Sequence, residues 1–171
     1  MALSPAGISV GAFIVRSADV LTDFLLASLH HLLVFGLIAM LVAESVLLRG
    51  ALDRATLQRL AGIDMGYGLC AMALIAVGIG RVAFGIKGYD FYLHNPWFHA
   101  KMGAFVLVGL LSILPTVRFL RWRKALAANP IFLPDAAETA RMRTIVRVEL
   151  ILLAAIFVLA AAMARHGGLS L

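Results

Sequence analysis

The chain has 171 residues, of which 63% are hydrophobic and 14% charged, and its mean hydropathy is +0.99. A soluble domain is nearer half apolar and a quarter charged, so this composition excludes an ordinary water-soluble fold. The formal charge of +6 is not a nucleic-acid signature, because the cations are segregated by loop rather than gathered into one basic face.

Residues 1–20 are weakly patterned, with Pro5, Gly7 and Gly11 early and a helix expected over 12–20. They lack the basic start and small-residue cleavage site of a secretory signal, the first charge being Arg16. The dominant stretch follows at 24–48, FLLASLHHLLVFGLIAMLVAESVLL. As a helix it rises about 37 Å, enough for a hydrocarbon core of roughly 30 Å. It carries His30, His31 and Glu44, and ionisable groups inside a span are costly enough to be functional candidates.

Arg49 and Gly50 end that helix, with glycine expected in the left-handed conformation. Asp53 is placed to cap the next helix. The second span is rich in small residues, and the Gly62–Gly66 spacing allows close approach of two helix backbones. The one cysteine, Cys70, falls inside this span and reads as a packing residue.

An aromatic loop over 85–97 suits a membrane interface, and Pro96 starts the third long helix. Pro115 predicts a kink or local unwinding there. Residues 129–134 (NPIFLP) break structure, and Asp135 with Glu138 has the spacing of a capping box for a last helix over 136–164. The expectation is an all-α polytopic membrane protein: one four-helix transmembrane bundle covering 1–171, with spans near 21–48, 60–85, 97–119 and 145–164.

Ten of the 15 Lys and Arg fall in the first and third connections: Arg49, Arg54, Arg59, Arg118, Arg121, Arg123, Lys124, Arg141, Arg143 and Arg147. The remaining five are Arg16, Arg81, Lys87, Lys101 and Arg165. The positive-inside rule then puts both termini outside, periplasmic in a bacterial inner membrane.

Positions 16, 23, 30, 37 and 44 are spaced by sevens, which returns a helix to nearly the same face. Four of them are Arg16, Asp23, His30 and Glu44, a polar stripe expected to face the bundle, with His31 about 100° away. The topology brings His30, Arg81, His99 and Lys101 to one outer layer. It puts Glu44 level with Asp64, Tyr67, Arg147 and Glu149, where a charge cluster is expected to satisfy it.

Histidines on facing helices, His30 and His99, point to axial ligation of a haem iron, with Arg81 and Lys101 supplying cations for the propionates. Other metals ligated by these two are the alternative. The plainer reading is neutral histidines hydrogen-bonded across helices, with His99 and Lys101 reaching for the interface. His94 and His166 read as solvated. Met40, Met65, Met72, Met102 and Met163 read as packing residues.

The chain resembles a family of small bacterial membrane proteins recorded as a domain of unknown function. More distantly it resembles four-helix haem-binding protoporphyrinogen IX oxidases and the copper-resistance D family. The points of contact are LHH at 29–31 and WFHAKM at 97–102. That likeness implies haem b on His30 or His31, Trp97 beside the cofactor, and an active-site role for Lys101. It also implies electron exchange with a membrane carrier such as a quinone, or, from the second family, copper handling. The oxidases' later histidine in the third helix is missing, with SILP at 112–115 in its place.

Overall fold

The computed structural model describes residues 10–86 and 88–165, with side chains over 19–86 and 89–165. Pro5, Gly7, Lys87, His166 and the side chain of Arg16 lie outside the described residues. Four long helices are present, α1 (Val10–Leu47), α2 (Arg54–Phe84), α4 (Pro96–Ala128) and α5 (Ala136–Arg165). A short helix, α3 (Gly88–Leu93), joins α2 to α4 inside the stretch expected to be loop. All four long helices have the length and hydropathy to cross a membrane.

The helix ends follow from local chemistry. Asp53 caps α2 by accepting from the Thr56 amide at 2.8 Å, and Thr56, through its side chain first and its amide second, holds that carboxyl below the usual range. Asn95 caps α4, accepting from the Trp97 amide at 3.0 Å, and Pro96 follows at the first turn, where no amide is needed. One expectation is corrected and one is narrowed. Gly50 does not adopt a left-handed backbone; α1 closes instead with bonds from Arg49 to Val46 and from Gly50 to Leu47. Pro115 is buried in α4, which stays helical to Ala128 without unwinding.

The helices alternate in direction and pack as a ring in which α1 meets α2 and α5, and α4 meets α2 and α5. In lipid the drive to associate is close packing and polar contact, because lipid tails are as apolar as leucine. Small residues let α1 and α2 approach: a Cβ on Gly66 would lie 3.5 Å from the Met40 sulfur. Its predicted partner, Gly62, faces open space and takes no part in that contact. Cys70 donates to the Leu33 carbonyl across the same interface, at 3.3 Å.

Packing is unequal along the bundle. Around Glu44 the core is tight: Leu41, Leu48, Leu57, Leu60, Phe119, Trp122, Met142 and Val146 are all buried. Toward His30, no residue is buried over 19–36 of α1, 75–84 of α2, 96–107 of α4 or 154–165 of α5. Clasps reinforce the tight end. Glu138 accepts from Arg118 at 2.6 Å and from the Trp122 indole at 3.1 Å, joining α4 to α5. Arg143 donates to the Leu48 carbonyl, tying α5 to the end of α1. Asp135 does cap α5, accepting from the amides of Ala137 and Glu138, but the Glu138 side chain is in the clasp and not in a reciprocal capping box.

Phe119→Ala is expected to cost about 3–5 kcal/mol, the range for emptying a fully buried aromatic site. Gly62→Ala, whose new Cβ meets nothing within 4 Å, should be neutral or stabilise by up to about 1 kcal/mol through helix propensity. Thermal unfolding in detergent measures both.

Candidate functional site

The seven-residue stripe of α1 faces the bundle over its described part. Asp23 and His30 are half-buried, while Leu37 and Glu44 are 1% exposed. This arrangement makes two polar layers, one at each end of an apolar section built on Leu37, Leu41, Leu74 and Val108.

At the first layer, His30 turns toward α2, where its Cε1 lies 3.8 Å from the Cβ position of Gly78. A larger residue at 78 would crowd the imidazole. His30 Nδ1 and Arg81 Nε are buried atoms with no hydrogen-bond partner. His30 is within electrostatic reach of Arg81, Lys101 and His31, and Lys101 within reach of Arg81. Lys101 also lies 5.5 Å from the centre of the Phe98 ring. Three groups able to carry positive charge thus converge from α1, α2 and α4. Asp23 sits above them, accepting from the Ile86 amide at 3.4 Å, which anchors the end of α2 to α1.

The other histidines turn away. His31 is exposed, its ring edge-on to His30 at 6.2 Å, and its Nδ1 is 2.6 Å from the Ala27 carbonyl of its own helix. That bond is local, not the cross-helix bond expected of a packing histidine. His99 is exposed and its Nε2 donates to the Leu93 carbonyl at 2.8 Å, which ties α4 to the end of α3. His94 makes a similar local contact with Asp90, at 3.0 Å. Trp97 is half-buried at the start of α4. Among the described residues, no three or more His, Cys, Asp or Glu side chains are arranged to hold a metal ion.

At the second layer, Glu44 lies within the electrostatic reach of Asp64 and Glu149 in the bundle interior, with Tyr67 in the field of all three. The exposures are 1% for Glu44, 4% for Asp64 and 0% for Glu149. Thr116 of α4 donates to Asp64 Oδ1 at 2.9 Å. The cation expected here is absent, since Arg147 is exposed, and Glu44 Oε1 has no partner. The layer gathers three carboxyl groups without Arg147, where a charge cluster including that cation was expected. Both Glu149 and Asp64 were visible as ionisable groups at the right depth; their mutual approach without a counter-ion was not.

Four apolar membrane-length helices with ionisable groups turned inward define a polytopic integral membrane protein. A family model described as predicted membrane protein (DUF2214) matches residues 22–168, and the chain belongs to that family. No curated protein and no solved structure matches it.

Histidine reactivity tests this geometry. In detergent micelles, diethylpyrocarbonate is expected to modify exposed His94 and His99 at least several-fold faster than His30, read by peptide mass spectrometry. Equal rates would show that His30 is not held against α2.

Proposed function

We propose that the protein binds haem b at its loosely packed end and passes electrons within the membrane. The observation that carries this reading is His30, an imidazole with an unpartnered Nδ1 in the half of the bundle that closes no core of its own. Protein interiors are normally close-packed, so an end with no buried residue on any long helix favours a bulky apolar occupant. His30 would ligate the iron, and Arg81 and Lys101 would face the anionic propionates. Haem supplies one-electron chemistry when bound, and its axial ligand and surroundings set the potential. Lys101 and Trp97, at the opening of α4, would border the cofactor.

The fit is better for one histidine than for two. His99 Nε2 is already donated to Leu93, and its use as a second ligand requires that bond to break. The proposal therefore rests on His30 alone. The resemblance read at 29–31 and 97–102, which no match to a curated protein or solved structure bears out, is the ground for the proposed active-site role of Lys101. A quinone is the proposed electron partner, and the asymmetric loop charges support a bacterial inner-membrane location with both termini periplasmic.

A second reading is that these polar groups serve helix packing only. The bond that ties His99 to the end of α3 favours it for that residue, while His31 bonds only within its own helix. Copper handling draws less support, because the described residues offer no clustered donor set.

Protein purified in mild detergent is expected to show a Soret band that shifts on dithionite reduction. His30→Ala should abolish it, and His31→Ala should leave at least half of it. Colourless protein that also takes up no added haem would reject the proposal. A band that survives His30→Ala would reject this ligand.

A further inference from the structure

The second polar layer stands independently of the haem reading. Its three carboxyl groups come from three helices: Glu44 from α1, Asp64 from α2 and Glu149 from α5. Apolar residues close it on both sides along the bundle. On α1, Leu41 and Leu48 flank Glu44, and on α5, Val146 and Leu153 flank Glu149, all buried. The fourth long helix, α4, contributes the Thr116 hydroxyl, which donates to Asp64.

Glu149 is the decisive side chain. It is 0% exposed, and neither of its oxygens has a hydrogen-bond partner. It nevertheless lies within the field of Asp64, and Glu44 lies within the fields of both. The other titratable groups facing the layer are Tyr67 and, farther along α2, Cys70. Three cations of this end are engaged elsewhere, Arg49 with Ser45, Arg118 with Glu138, and Arg143 with the Leu48 carbonyl, and Arg147 is exposed.

Three ionised carboxylates cannot share a water-free space at tolerable cost, since like charges at short range and desolvation both oppose ionisation. Each proton bound removes one charge and also creates one O–H donor. Donors are what the unpartnered Glu44 and Glu149 oxygens lack. A metal cation would instead need several oxygens gathered at about 2.0–2.6 Å, and the described residues hold no such group.

We propose that Glu44, Asp64 and Glu149 form an intramembrane proton-binding site that exchanges protons with water. On loading, a carboxylate takes a proton from hydronium, leaving water, and the new carboxyl donates to a neighbouring carboxyl oxygen. On release the same proton returns to water. Titration of one group changes the hydrogen bonding of the other two, so the three act as one coupled site. Exchange requires the apolar walls at Leu41 and Leu48 to part transiently.

The test is infrared titration of the full-length protein reconstituted in lipid. The expected result is a protonated-carboxyl C=O band at neutral pH that shifts in D2O and titrates reversibly. Glu149→Gln and Glu44→Gln should each remove a resolvable part of it, while the exposed Asp53→Asn leaves it unchanged. If either glutamine variant fails to fold, Asp64→Asn and the D2O shift of the unaltered protein carry the same test. Absence of the band at neutral pH overturns the proposal, as does a band that survives all three substitutions. A band that neither exchanges nor titrates marks fixed packing groups and also overturns it. Loss of the band on adding sodium or calcium at constant pH overturns it in favour of a metal cation.

Discussion

The structure depends on the lack of water inside a membrane span. Backbone polarity is absorbed by the helices themselves, so the arrangement is decided by the few side chains that cannot face lipid. On α1 these fall at intervals of seven, which makes one face of an otherwise uniform rod different from the rest. Turning that face inward brings Asp23 and His30 to one end and Glu44 to the other. The other helices then bring matching groups to the same two depths, Arg81 and Lys101 at one and Asp64 and Glu149 at the other.

The two ends differ in what holds them. Around Glu44, short connections and the clasps of Glu138 and Arg143 draw the helices into a close core. Around His30, α3 joins α2 to α4, and contacts between helices include a tilted pair of rings, Phe35 with Phe157, and a carboxylate on the Ile86 amide. A well-packed end suits groups that must be kept from water. A loosely packed end suits the proposed ligand, which would enter from the bilayer.

Much of this architecture was legible in the residues. Long apolar runs marked the helices, while Asp53 and Pro96 marked two starts through chemistry that is local to a turn. The heptad spacing ranked His30 above His31 as the inward group, as observed. What was not legible depended on choices among partners. Glu138 is equally able to cap its own helix or to take Arg118 and Trp122, and only the approach of α4 decides. Gly62 and Gly66 look alike in sequence, yet one faces open space and the other faces Met40. In spans apolar on every face, periodicity cannot say which glycine meets a neighbour. His99 likewise looked available to a facing helix, because the turn of chain that brings Leu93 beneath it is set by the unforeseen α3.

The opposite signs of the two layers raise the question of whether they neutralise each other. His30 and Glu44 are fourteen residues apart on one helix, a rise of about 21 Å. At an effective dielectric constant near 20, unit charges at that separation attract by roughly 0.8 kcal/mol. Desolvation of a buried ion costs several kcal/mol. The attraction across the apolar section is therefore too weak to satisfy either layer, and each must be neutralised where it stands. At the Glu44 end the walls are closed and the unpartnered atoms are carboxylate oxygens, so the smallest cation fits the need. At the His30 end the packing is open and the unpartnered His30 and Arg81 atoms are nitrogens, so the ligand proposed there is anionic and largely apolar. One constraint, applied to groups of opposite sign in cores of unequal tightness, accounts for both proposals without linking them.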